Sequence, residues 1–134
     1  MATTRRVVVD THAFLWWYHE DERRLSREAR TTLARTDRIV VPDIVLWEIA
    51  MLAETDEIRL DRDVRTWLNE ALADDRIVVQ PITPEIAHAS VSIGRWLQLD
   101  PADHLIAATA IVLGVPLITR DQELAKLPAL EVIW

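Results

Sequence analysis

Five short stretches rich in β-branched and aliphatic residues, Arg6–Val9, Arg38–Val41, Arg76–Gln80, Val115–Thr119 and Glu131–Trp134, alternate with segments of helical spacing. This alternation limits the fold more than any other feature of the chain. Strands separated by helices are joined by crossovers, which place neighbouring strands parallel and are almost always right-handed. The expected architecture is therefore α/β, a sheet of about five parallel strands with helices on both faces. With 134 residues and no repeat, low-complexity tract or linker, the expectation is one domain over 1–134.

Helix boundaries follow from caps and breakers. THAFLWWYH after Asp10 has helical spacing at Ala13, Trp16 and Trp17, and Ser26 reads as the cap of a helix reaching about Thr36. Asp43 reads as the cap of IVLWEIAMLAE, and Thr55 to Asp63 as a polar loop. Val64, Trp67, Leu68, Ala71 and Leu72 mark an amphipathic helix. Thr83-Pro84-Glu85 starts another, expected to run to about Leu97 through Gly94. In DPADHLIAATA, Asp100 reads as N-cap, Asp103 has the spacing of a capping box, and Gly114 with Pro116 ends the helix.

A formal charge of -7, from 22 acids against 15 bases, argues against a protein that coats nucleic acid non-specifically, yet it does not exclude a nuclease. All the bases except Lys126 are arginine, the better phosphate fork. The chain has no cysteine, which removes thiol catalysis and thiolate zinc sites, and no G-x-S-x-G elbow for serine chemistry. No apolar run reaches bilayer length, and MATTRRVVVD offers no signal-like core, so no membrane role and a cytoplasmic location are expected.

Four acids stand out. Asp10 follows the first strand, Asp121 the fourth, Asp103 opens a helix that is otherwise apolar, and Glu48 sits in an apolar helix with no basic residue within one turn. Each alone has an ordinary explanation, a cap, a turn, or for Glu48 solvent or a distant arginine. Together, on elements that end at one edge of a parallel sheet, they repel unless a divalent cation joins them. An oxygen-only set without a histidine cluster suits Mg²⁺, with Mn²⁺ possible, and such a site activates water against a phosphodiester.

VVVDTHAFLWW at Val7 to Trp17, LWEIAML at Leu46 to Leu52, DPADHLIAATA, and PLITRD at Pro116 to Asp121 span nearly the whole chain. In this order they resemble PIN-domain ribonucleases, most closely VapC-type toxins of prokaryotic toxin-antitoxin pairs. The resemblance implies a PIN-like fold and a magnesium-dependent endoribonuclease that cuts single-stranded or looped RNA to leave 5′-phosphate and 3′-hydroxyl ends. Asp10, Glu48, Asp103 and Asp121 match the family's four acids. Asp10 and Asp103 are the expected direct ligands, Glu48 orients water or a second ion, and Asp121 completes the shell.

Thr11, His12, Thr119 and Arg120 stand beside these acids as supporting residues. His12 reads equally as a satisfied turn residue, and Arg120 as either a phosphate contact or a solvated arginine. His104 stands where many relatives carry Arg, and Asp43 replaces a small hydroxyl residue. The resemblance also implies a small VapB-type antitoxin as partner and a homodimer. Trp16, Trp17, Trp47, Trp67 and Trp96 are candidate interface anchors, with a core position favoured for Trp47 and Trp134. Two other readings are a catalytically silent PIN-like module that binds RNA or a partner, and a phospho-receiver domain. The receiver fits poorly, because the third strand ends in Gln80-Pro81 rather than an aspartate.

Overall fold

In the computed structural model, which describes residues 4–95 and 97–134, the strand runs fold as expected into one five-stranded sheet. Strand β1 (Arg6–Val9) leads into α1 (Thr11–Tyr18), α2 (Arg27–Arg35) and β2 (Arg38–Pro42). Helices α3 (Asp43–Glu54) and α4 (Val64–Ala71) lead to β3 (Ile77–Gln80), and α5 (Pro84–Gly94) and α6 (Pro101–Leu113) to β4 (Leu117–Ile118). A turn of 3₁₀ helix at Leu124–Lys126 precedes β5 (Val132–Ile133).

The strand order is β3-β2-β1-β4-β5 and every pairing is parallel. The chain moves outward from β1 through β2 to β3, then returns across β1 to β4 and β5. Right-handed crossovers in these two directions put helices on opposite faces. The direction reverses between β1 and β4, so these strands flank the switch point at which α/β sheets bind ligands. Their register, Val8 with Leu117 and Val9 with Ile118, brings Asp10 and Thr119 out at the same edge.

Val8, Val9, Ile39, Val41, Leu117 and Ile118 are buried to within a few percent, together with Phe14, Leu33, Ile49, Trp67 and Ile106 from the helices. Helix α6 packs against α3, α5, β1 and β2, and its buried residues Ala107, Ala108 and Ala110 allow the close approach. Among the described residues, no helix is long and apolar enough to cross a membrane.

Several boundaries differ from those read in the sequence. Helix α5 stops at Gly94, with Arg95 as its C-cap, because a glycine so near the end of a helix favours termination over three more residues. Pro42, not Asp43, is the N-cap of α3; Asp43 is its first residue, and its Oδ2 accepts from the Ile82 backbone N–H at 3.2 Å. Asp100 does cap α6, but its side chain makes no capping bond, so the expected capping box with Asp103 is not formed. Trp67 is fully buried and donates through Nε1 to His19 Nε2 at 3.1 Å, which removes it from the surface. Trp47, favoured for the core, is 57% exposed. Trp134 is half-buried against Trp16, and Trp96 lies outside the described residues.

Gly114 ends α6 with φ of 67°, in the left-handed region, and a Cβ there would meet nothing within 4 Å. Its role is thus conformational rather than steric. Gly114→Ala is expected to cost about 1 kcal/mol and to lower the melting temperature by roughly 4 °C, as read by thermal denaturation, without altering the cleft described next.

Candidate metal-dependent active site

The reversal of strand order brings the four acids together as anticipated. Asp10, Glu48, Asp103 and Asp121 all line one cleft of about 680 Å³, with Thr11, His12, Trp16, Met51, Leu52, Glu57, Asp100 and Arg120. Four elements contribute: the end of β1, the middle of α3, the first turn of α6 and the end of β4.

Two buried threonines hold the acids in place. Asp10 caps α1, its Oδ1 accepting from Ala13 N at 2.8 Å, while its Oδ2 accepts from the Thr119 hydroxyl. The Thr119 oxygen in turn accepts from Asp121 N at 3.1 Å, so one fully buried hydroxyl ties the ends of β1 and β4. Asp121 Oδ1 accepts from Glu123 N at 2.9 Å. Thr11, the first residue of α1 and also buried, donates its hydroxyl to Glu48 Oε1. Glu48 is therefore neither turned to solvent nor paired with a distant arginine. Each carboxylate so held accepts one bond per oxygen at most and keeps lone pairs free for another ligand.

Among the described residues no arginine or lysine forms an ion pair with the group. Among the described residues the ion pairs are Arg24–Asp21, Arg30–Glu22, Arg62 with Asp61 and Glu70, Arg76–Asp74 and Lys126–Glu123, none of which involves the four acids. Burial raises the Asp10 carboxyl above the usual range, against the pull of its Thr119 and Ala13 bonds. Asp103 makes no side-chain hydrogen bond among the described residues; burial first, and then Glu48, Asp10, Asp121 and Asp100, push it up to about 7. A carboxyl raised by neighbouring carboxylates marks a place where a cation would be favoured.

The donor set fits a hard divalent ion, being all oxygen and uncompensated. Among the described residues no three acidic or histidine side chains close to the spacing of a metal cage. The acids share a cleft rather than a preformed cage, which accords with an ion that keeps several of its own waters and takes one or two carboxylates.

The other expected residues divide. Thr11 and Thr119 support acids directly. His12 is exposed and tilted against Trp16, with ring centroids 5.5 Å apart. Arg120 is exposed on the cleft wall, its guanidinium without a partner among the described residues. His104 does not face the acids' cleft: its Nε2 lies 2.9 Å from Leu97 O and 3.3 Å from Leu99 N, bracing the α5–α6 connection. Glu57 was not anticipated at the cleft. Its position in a charged loop gave no signal, since only the fold of that loop brings it to the rim.

A sequence profile described as PIN domain matches residues 7–130. The chain is also 38% identical over 118 residues, 88% of each protein, to Ribonuclease VapC22 of Mycobacterium tuberculosis. This chain belongs to the PIN-domain family. Its fold is similar to that in a toxin-antitoxin complex from Klebsiella pneumoniae, with a TM-score of 0.66, 23% identity and coverage of 92% of this chain and 94% of the other. It is similar too to the fold in VapBC2 from Rickettsia felis bound to a promoter DNA fragment, with a TM-score of 0.69, 16% identity and coverage of 95% and 96%. The five-stranded parallel sheet of this PIN domain thus agrees with the fold of VapC structures.

Two outcomes follow for the PIN-domain cleft. Thr119→Val removes the donor to Asp10 and the acceptor for Asp121 N; it is expected to cost about 1–3 kcal/mol of stability and to lower metal affinity or turnover by roughly 10–100-fold, measured by melting and by metal titration. For Asp103 the folded pKa lies above that of the unfolded chain, about 3.9, so its ionised form penalises the fold. The penalty begins above the unfolded value and is complete above about 7. In chelator at about pH 8, Asp103→Asn should therefore melt higher than the parent, by on the order of 1 kcal/mol once solvent screening in the open cleft is allowed for. The gap should shrink as the pH is lowered to about 5. A gap that widens with acid would contradict this electrostatic account.

Proposed function

We propose that this chain is a magnesium-dependent endoribonuclease of the VapC type, the toxin of a toxin-antitoxin pair acting in the cytoplasm. The observation that carries the reading is the uncompensated set of four acids, two of them anchored by buried threonine hydroxyls, in one cleft at the sheet's switch point. The family and the likeness to Ribonuclease VapC22 support it.

Asp10 and Asp103 would hold the ion, with Asp121 completing or supporting its surroundings and Glu48 accepting a hydrogen bond from the attacking water. A bound magnesium or manganese ion supplies a water of lowered pKa and compensates charge on the phosphate. Thr11 fixes one oxygen of Glu48, so the remaining oxygen has a defined direction in which to accept. Thr119 does the same for Asp10. Arg120, on the cleft wall without a guanidinium partner among the described residues, would contact a phosphate oxygen. Attack on phosphorus with the 3′ oxygen as leaving group gives 5′-phosphate and 3′-hydroxyl products.

An apolar groove lined by Ile44, Trp47, Met51, Pro101 and Leu105 runs into the cleft through Glu48 and Asp100. Exposed Trp47 suits the arm of a small VapB-type antitoxin that ends near the acids, where a basic side chain on the arm would meet them. Two copies of the chain would form a homodimer.

The test is cleavage of structured and unstructured RNA with Mg²⁺ or Mn²⁺, with and without chelator, beside Asp103→Asn. Chelation should stop cutting, the variant should lose about two orders of magnitude or more, and end-labelling should find 5′-phosphates. Cutting that ignores both controls would refute the assignment. RNA binding without any cutting would identify a silent module instead.

A further inference from the structure

The acidic cleft does not end at its acids. On the α1 side its wall is made by His12 and Trp16, and the same two rings, with Glu57, also line an adjoining cavity of about 290 Å³. Arg24 and Arg59 line that cavity as well. The two spaces share His12, Trp16 and Glu57 and so adjoin, which allows one strand a path across both. Arg120 in the acidic cleft and Arg59 in the adjoining cavity have guanidinium groups without a partner among the described residues, while Arg24 is partly engaged at 3.6 Å by Asp21, which lines the same cavity.

Arg120 and the acids line the cleft, the aromatic pair lies at the junction, and Arg24 and Arg59 line the cavity beyond it, while a single nucleic-acid strand alternates phosphate and base. We propose that the nucleotide adjoining the scissile phosphate stacks its base on the His12–Trp16 pair, and that Arg59, assisted by Arg24, holds the next phosphate. The inference rests on the ribonuclease reading above and names the substrate residues that this site takes.

Three features favour a base over a phosphate at the junction. Trp16 is half-buried and leans on Trp134 at 5.8 Å between centroids, so its ring is held before any ligand arrives. Stacking on an aromatic face accepts any base and needs no hydrogen-bond match. Glu57, whose carboxylate has no partner among the described residues, stands at the junction and repels a phosphate there, yet accepts hydrogen bonds from base amino or imino groups. A paired and stacked base cannot reach Trp16, so the path selects single-stranded or looped RNA.

The experiment uses a fluorescein-labelled, unstructured oligoribonucleotide, first in chelator to read binding by anisotropy and then with Mn²⁺ to read cleavage. Trp16→Ala should weaken binding about tenfold and raise KM with kcat little changed, and Trp16→Phe should recover most of the loss. Since Trp16→Ala also removes packing on Trp134, Arg59→Gln provides an arm without structural risk. It should weaken binding and reduce the salt slope by about 0.7, the value of one single-strand phosphate. Parent-like affinity in both Trp16→Ala and Arg59→Gln overturns the path, whatever the cleavage assay shows. Trp16-dependent binding by a parent protein that cuts nothing leaves the path standing and overturns the ribonuclease.

Discussion

Repulsion among carboxylates that no arginine or lysine of the described residues pairs with is the constraint on which this structure turns. Isolated burial of an acid costs free energy, and several acids facing one space cost more. The fold tolerates this because neutral donors, rather than arginines, hold the acids: Thr119 for Asp10, Thr11 for Glu48, and backbone N–H groups for Asp10 and Asp121. A hydroxyl orients a carboxylate without cancelling its charge. Neutral anchoring thus leaves the negative field intact for whatever cation or cationic partner enters.

Parallel pairing of β1 with β4 makes that arrangement possible. Asp10 and Thr119 are far apart in the chain and meet only because Val9 and Ile118 are register partners. The supporting cores are ordinary: aliphatic strands, and a helix α6 whose alanines let it lie close to the sheet. Asp103 rides on the first turn of that helix, so its placement depends on how tightly α6 seats.

Periodicity and punctuation carried most of the architecture. Strand runs ending in Asp10 and just before Asp121, separated by helices, were enough to expect acids at one edge of a parallel sheet. Pattern could not resolve matters settled by tertiary contacts. Asp43 and Asp100 both had cap chemistry, yet neither makes a capping bond, since Asp43 is used by Ile82 across the fold and Asp100 faces the cleft. Trp47 has the more apolar neighbours in sequence yet is exposed, while Trp67 is sealed, because amphipathic spacing surrounds only Trp67. Glu57 joined the site through loop geometry that no spacing rule describes.

The cleft is flanked by two unlike surfaces, an apolar groove at Trp47 and an aromatic and basic path at Trp16. Both open onto the same acids, so a protein arm and a nucleic-acid strand would compete for one centre while using separate approaches. On the function proposed above, inhibitor binding and substrate choice would change independently, each on its own flank.

The sheet's borders carry a different consequence. Its outermost strands are β3, with four residues, and β5, with two, and exposed Val78 and Val79, on opposite faces, make the first of these greasy. A border that short offers too few free amide and carbonyl groups to recruit a foreign strand, so brevity itself guards this molecule against edge-to-edge aggregation.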